Sequence, residues 1–163
     1  MSHERESLLE NLKSTFQSAM TFLDTIDPTT VIFHDSGCTV RDLIDHVAMW
    51  EAEKVKGLDA FVKVDVYITP DFTVDELHDY NRRMRDARLL CSVEEVFASW
   101  RSTRHQLIAI VEAMTDAQLK SAMTPPWGGA ETMQAIALAQ DAIRHQEEHM
   151  AQIMAVCTQD SRQ

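Results

Sequence analysis

The segment that decides the fold spans residues 39–51 and reads Thr-Val-Arg-Asp-Leu-Ile-Asp-His-Val-Ala-Met-Trp-Glu. Its apolar residues recur at steps of three and four, which is the periodicity of an amphipathic helix. Thr39 stands where an N-cap belongs, and Asp42 takes the third helical position of a capping box. The segment therefore predicts a helix that begins after Thr39 and runs to about Phe61.

The same periodicity predicts further long helices over residues 4–26, 92–114 and 131–156, and a shorter one that begins at Thr73. Thr73 and Ser92 each begin a further capping-box pattern, with Glu76 and Glu95 at the third helical position. The stretch 64–72 is irregular and is interpreted as part of a long crossover. Only four Gly and four Pro occur in 163 residues, so the chain has few residues that favour turns, and this favours long helices. We therefore expect one all-α domain over the whole chain, an antiparallel four-helix bundle with a long crossover and an extra short helix.

Charge and composition argue against several classes of protein. The net charge is −11, which repels a phosphate backbone, so we expect no nucleic-acid partner. The arginine-rich stretch 82–88 also carries acidic residues and is interpreted as a solvated helix face. No apolar run approaches the roughly 18 residues that span a bilayer, no apolar leader follows the first residues, and the three cysteines are far apart. We expect a cytoplasmic protein without a membrane partner.

Two histidines on the last predicted helix suggest a metal site. His145 and His149 are four residues apart, so they lie on one helix face and can reach one ion. Gln146 stands where H-E-x-x-H proteases carry their general base, which excludes that class. The alternative interpretation of the pair is a solvated helix face.

A third histidine lies on the second predicted helix. His46 borders the core positions Leu43 and Ile44, so it is either a hydrogen-bonded core residue or a ligand. Three imidazoles from two bundle helices, with one coordination position open, would make a catalytic site for Zn²⁺, Ni²⁺ or Fe²⁺. The other histidines are interpreted as surface residues: His3, His34, His78 and His105.

Residues around these histidines have two interpretations each. Asp45 and Glu148 precede candidate ligands, and each either orients an imidazole or is simply solvated, which is the simpler interpretation. Cys38 lies near a helix start that can lower a thiol pKa, but it is interpreted as unreactive. Trp50 and Trp127 either line a pocket or belong to the hydrophobic core.

Residues 37–51 resemble the helix-two signature of the DinB/YfiT-like superfamily, and His145-x-x-x-His149 is similar to its second signature. The resemblance implies a four-helix bundle, a three-histidine metal site at His46, His145 and His149, and frequent homodimers. Within the superfamily, residues 74–81, 92–100 and 126–128 look most like the ClbS/DfsB branch, which is associated with resistance to reactive small molecules. Cys38 departs from the pattern, because many relatives carry Trp there, and that branch does not uniformly keep all three histidines.

Characterised relatives in the superfamily include thiol-dependent transferases and isomerases. The resemblance thus implies a divalent-metal-dependent enzyme acting on a small-molecule substrate, either a hydrolase or a transferase that uses a low-molecular-weight thiol as cosubstrate. The alternative is a non-catalytic protein that binds or sequesters a small molecule. A third hypothesis is a structural dimer whose histidines are vestigial. The catalytic residues, the substrate and the native metal stay open.

Overall fold

The computed structural model describes residues 2–160, which are mostly helical. The helices are α1 (His3–Leu23), α2 (Val40–Val62), α3 (Leu77–Ala87, after a 3-10 turn at Val74–Glu76), α4 (Val93–Ala113), α5 (Asp116–Lys120) and α6 (Ala135–Asp160). Short antiparallel strands form two hairpins, β1 (Val31–Phe33) with β2 (Cys38–Thr39) and β3 (Ala122–Met123) with β4 (Met133–Gln134).

The four long helices form the predicted bundle, in which α1 and α2 each pack against α4 and α6. The crossover 63–92 returns the chain to the end of the bundle where α2 begins. As a result α2 and α4 run parallel, with Arg41 bonded to the carbonyl of Cys91 and Glu51 bonded to Arg104 further along. The pairs α1–α4 and α2–α6 are antiparallel. The all-α bundle with its crossover and short extra helix is confirmed.

Capping explains two helix starts and fails at a third. Thr39 and Ser92 form the expected capping boxes, and the Thr39 backbone N–H donates to the Asp42 carboxylate at 3.0 Å. The box predicted at Thr73 is wrong, because its hydroxyl bonds the Glu76 carboxylate at 2.8 Å and caps no backbone N–H. A 3-10 turn forms there instead, and α3 begins after it.

The hairpins were not predicted, and one of them moves a helix boundary. The last helix was expected from residue 131, but Met133 and Gln134 pair with β3, so α6 begins at Ala135. In the other hairpin, Gly37 has φ +67° between β1 and β2, a backbone conformation that glycine adopts without strain. The first helix also ends earlier than expected, at Leu23.

A polar network lies fully buried between the four long helices. The Arg104 guanidinium donates to both carboxylate oxygens of Glu51, at 2.6 and 2.9 Å. It also donates to the Gln146 side chain at 2.8 Å and to the Leu12 carbonyl at 2.9 Å. Gln146 in turn donates to the Thr15 carbonyl at 2.9 Å. Every long helix therefore contributes a group to one network.

Arg104→Met is expected to lower the free energy of unfolding by about 3–5 kcal/mol, because it leaves the Glu51 carboxylate buried without its cation. Urea unfolding followed by circular dichroism measures the change. Lys63→Met is the matched control, since it removes an exposed helical pair with Asp59 worth about 0–1 kcal/mol. Equal effects of the two substitutions would contradict the role assigned to the buried network.

Candidate metal centre

The structure brings the three histidines together between α2 and α6. The Nε2 atom of His145 lies 3.2 Å from Nε2 of His46 and 3.1 Å from Nε2 of His149. One ring nitrogen from each of the three residues lies within 4.8 Å of the others. Two nitrogens on one tetrahedral zinc ion are about 3.3 Å apart. The observed spacing therefore fits a shared ion, while the ligand role itself stays a prediction.

The surroundings keep these imidazoles neutral. Burial, and to a smaller extent the neighbouring His149 and the Lys54 ammonium, lower the pKa of His46 to about 3. Burial and then Lys54 lower the pKa of His145 to about 2. Burial also lowers the pKa of His149, although the hydrogen bond that His149 donates to the Gln152 oxygen acts in the opposite direction. At neutral pH all three rings carry a lone pair, which metal binding requires.

Gln152 orients one of the imidazoles. Its Oε1 atom lies 2.8 Å from Nδ1 of His149, and an amide oxygen only accepts, so Nδ1 carries the proton. The lone pair of His149 is therefore on Nε2, the atom that faces His145. Sequence reasoning did not assign this role to Gln152, although a position three residues after His149 shares its helix face.

A buried lysine lies close to the histidine cluster. The Lys54 ammonium is 3.0 Å from the Asp141 carboxylate, and its side chain is only 3% exposed. Asp141 precedes His145 by one helical turn on α6, so the pair lies beside the cluster in the α2–α6 interface. Lysines are rarely buried, so a buried pair at these positions was not expected from the sequence.

The two carboxylates that precede histidines do not orient them. Asp45 is buried, and it accepts two bonds from Nε of Arg88, at 2.8 and 2.9 Å. Both interpretations of Asp45 are therefore wrong, because its partner is Arg88, an arginine of the crossover. Glu148 is exposed and bonds Arg144 at 2.6 Å, which confirms the solvated interpretation.

A cleft of about 470 Å³ opens beside the cluster, between α2, α3 and the β1–β2 hairpin. His46 and His149 line it, whereas Trp50 and Trp127 do not. Part of its wall is apolar, formed by Phe33, Leu43, Met49 and Met84. The 82–88 stretch is therefore more than a solvated face, because three of its arginines line the cleft: Arg82, Arg85 and Arg88.

Cys38 also lines the cleft, and its thiol is protonated at neutral pH. Burial raises its pKa to about 11, and the Asp42 carboxylate acts in the same direction. The helix start does not overcome these effects, because Asp42 occupies the first turn. The interpretation of Cys38 as an unreactive thiol is supported.

Comparisons with known proteins agree with this architecture. The model of a family described as the DinB superfamily matches residues 30–153. An uncharacterized protein from Clostridium difficile 630 has the same fold at a TM-score of 0.80, with 11% identity over 97% of this chain and 98% of that one. An uncharacterised protein from Escherichia coli UTI89 matches at 0.78, with 15% identity over 99% and 96%. No curated protein sequence matches the chain.

A third similar structure corrects one expectation. The colibactin self-resistance protein ClbS, crystallised in complex with a dsDNA, matches at a TM-score of 0.75, with 17% identity over 94% of this chain and 95% of that one. The inference that excluded nucleic acid is therefore wrong, because a protein of this fold was crystallised with DNA. Net charge is a sum over the chain and does not report on a local group of arginines. None of the helices within residues 2–160 has the length and apolar character needed to cross a bilayer.

Alkylation of Cys38 by iodoacetamide is expected to be about a hundredfold slower at pH 7.5 than that of an ordinary thiol, because its pKa is raised from 9.0 to about 11. The rate should rise about tenfold per pH unit up to pH 9. Stopped time points analysed by mass spectrometry measure it in a variant that lacks Cys91 and Cys157. The same variant in urea gives the reference rate, and a plateau below pH 9 in the folded protein would contradict the raised pKa.

Proposed function

This chain belongs to the DinB superfamily, and from that premise we propose that it is a metal-dependent enzyme acting on a small molecule. The observation that carries the proposal is the convergence of three neutral Nε2 atoms, from His46, His145 and His149, beside a cleft. A cluster of this kind on a cleft wall is where an ion can meet a substrate, whereas a structural ion is enclosed by its ligands.

The donor set fits a divalent transition metal. Three imidazoles without a thiolate suit Zn²⁺, Ni²⁺ or Fe²⁺, and three protein ligands leave a coordination position open. A bound ion would supply Lewis acidity and would lower the pKa of a water or thiol ligand. The chain contributes the orientation of the ligands, above all through the Gln152 bond to His149.

Carboxylates in the cleft are already occupied. Asp42 accepts bonds from the Thr39 backbone and from Arg41, at 3.0 and 2.9 Å, and Asp45 is held by Arg88. Neither is available as a general base. With both carboxylates held, a nucleophile that has already lost its proton suits this cleft, either hydroxide in a hydrolase or a thiolate in a thiol-dependent transferase.

The second candidate function is a non-catalytic one, in which the cleft binds or sequesters a reactive small molecule. The observation that favours it is the shared fold with ClbS, whose structure is that of a self-resistance protein. The cleft volume of about 470 Å³ suits this function equally well. The homodimer and the cytoplasmic location stay predictions.

Tag-free protein is expected to bind close to one Zn²⁺ or Ni²⁺ per chain in calorimetric titration. His46→Ala and His149→Ala should each weaken this binding by about a hundredfold or more, because two imidazoles hold an ion far less tightly than three. His105→Ala is the matched control, since His105 is exposed on α4. Unchanged binding in the two site variants, or no binding by the parent, would reject the metal site and favour vestigial histidines.

Turnover separates the two candidate functions. Zinc-loaded protein is tested with p-nitrophenyl acetate, and with cysteine plus 1-chloro-2,4-dinitrobenzene for thiol transfer. We expect kcat/KM for one reaction to exceed that of the His149→Ala variant at least about tenfold, since one order of magnitude corresponds to 1.4 kcal/mol of transition-state binding. Equal rates in a protein that does bind zinc would favour the non-catalytic function.

A further inference from the structure

We propose that the cleft takes a small organic anion, and that Arg85 holds its anionic group, a carboxylate or a phosphonate-like oxyanion. The inference deepens the proposed function and rests on it for the role of the cleft as a substrate site. It names the chemical class of the substrate and one residue that selects for it.

The first observation is the distribution of charge. The chain as a whole carries −11, yet the cleft collects three arginines, Arg82, Arg85 and Arg88, against two aspartates. The aspartates are themselves occupied, by Arg88 and by the start of α2 with Arg41. The cleft is thus locally basic in an acidic protein, and a cleft with low-dielectric walls focuses such a field on its ligand.

The second observation is the pairing of the arginines. Arg82 bonds Asp79 at 3.0 Å, and Arg88 holds Asp45 with two bonds. Arg85 differs, because its nearest carboxylate is that of the adjacent residue Asp86, at 3.5 Å. That distance is longer than a charge-assisted hydrogen bond. Arg85 therefore enters the cleft with its hydrogen-bonding capacity largely unused.

The third observation is the exposure of the Arg85 guanidinium. Its Nε atom is shielded from solvent and has no hydrogen-bond partner, so a ligand in the cleft does not reach Nε unless the side chain rotates. The side chain as a whole is 31% exposed. A carboxylate or phosphonate in the cleft would therefore accept charge-assisted bonds from the exposed terminal nitrogens.

The position of Arg85 suits a ligand that also reaches the metal centre. Burial raises the pKa of Cys38, while the positive charge of Arg85 acts in the opposite direction, so Arg85 lies near the hairpin wall. His46 and His149 line the same cleft, and so do four apolar side chains: Phe33, Leu43, Met49 and Met84. A volume of about 470 Å³ falls in the range for small ligands, about 300–1,000 Å³. An apolar body with one anionic end therefore fits.

The test measures binding of benzoate, phenylphosphonate and the neutral benzamide by calorimetry, in metal-free and in zinc-loaded protein. Metal-free protein should bind both anions at least about tenfold more tightly than benzamide, because the charged acceptors gain charge-assisted bonds. Arg85→Gln should weaken anion binding about tenfold, and Arg85→Lys should restore part of it. Comparison of benzoate with phenylphosphonate tells which oxyanion the site prefers.

Arg83→Gln is the matched control. It removes the same charge from the same helix, but Arg83 bonds the Asp71 carbonyl at 3.2 Å and does not line the cleft. Its anion binding should change less than about twofold, since it loses no direct bond. Circular dichroism of each variant checks that it folds. If Arg85→Gln does not fold, the proposal is tested by anion binding to Arg85→Lys and by the preference of the parent protein for the anions over benzamide.

Three results would overturn the proposal. One is equal binding of benzamide and the anions. Another is anion binding that requires zinc and is unchanged in Arg85→Gln, because the anion then ligates the ion. The third is binding of a short DNA duplex through Arg85 without binding of either small anion. Anion binding that depends on Arg85 in a protein that binds no zinc would instead support the subsite and reject the metal-dependent function.

Discussion

The buried pair of Arg104 and Glu51 is the constraint on which the rest of the structure depends. Two charges without access to water are costly unless their hydrogen bonds are satisfied. Here the guanidinium reaches Glu51, Gln146 and the Leu12 carbonyl, and the second Glu51 oxygen also accepts from Trp100 at 3.1 Å. Sliding any long helix along its neighbours would leave one of these groups unpaired. The network therefore sets the register of the bundle.

The axial register of the helices determines where the three histidines of the candidate metal centre lie relative to one another. Gln146 belongs to the network and directly follows His145, so the inward position of one determines where the other points, about 100° around α6. On α2, Glu51 follows His46 by five residues and has the same effect. Lys54 and Asp141 add a second polar contact between these two helices. The approach of His46 to His145, at 3.2 Å between Nε2 atoms, depends on how these two helices are held together, whereas the 3.1 Å between His145 and His149 follows from their spacing of one turn on α6.

Local features of the chain were readable from the sequence. The capping boxes at Thr39 and Ser92 and the pairing of His145 with His149 involve residues three or four apart, where helix geometry decides the outcome. Placing His46 beside the other two histidines required knowing how the helices pack, and the resemblance to a family supplied that arrangement. Features that the sequence could not show depend on partners distant in the chain. One is the hydrogen bond from Arg88 to Asp45, and another is the pairing of two-residue strands that shifts the start of α6 to Ala135.

The same distinction explains the error about nucleic acid and the location of the chemistry. Net charge was treated as a property of the whole surface, but the structure divides the charged residues by role. Arg104 and Lys54 are engaged in buried ion pairs, whereas Arg82, Arg85 and Arg88 line the cleft. On α6, Gln146 of the buried network lies about 100° around the helix from His145, while Asp141 of the Lys54 pair shares the face of the two histidines. Because the two sets share few residues, the cleft can change its wall without loss of the bundle, which suits a fold that occurs in chains with 11–17% identity to this one.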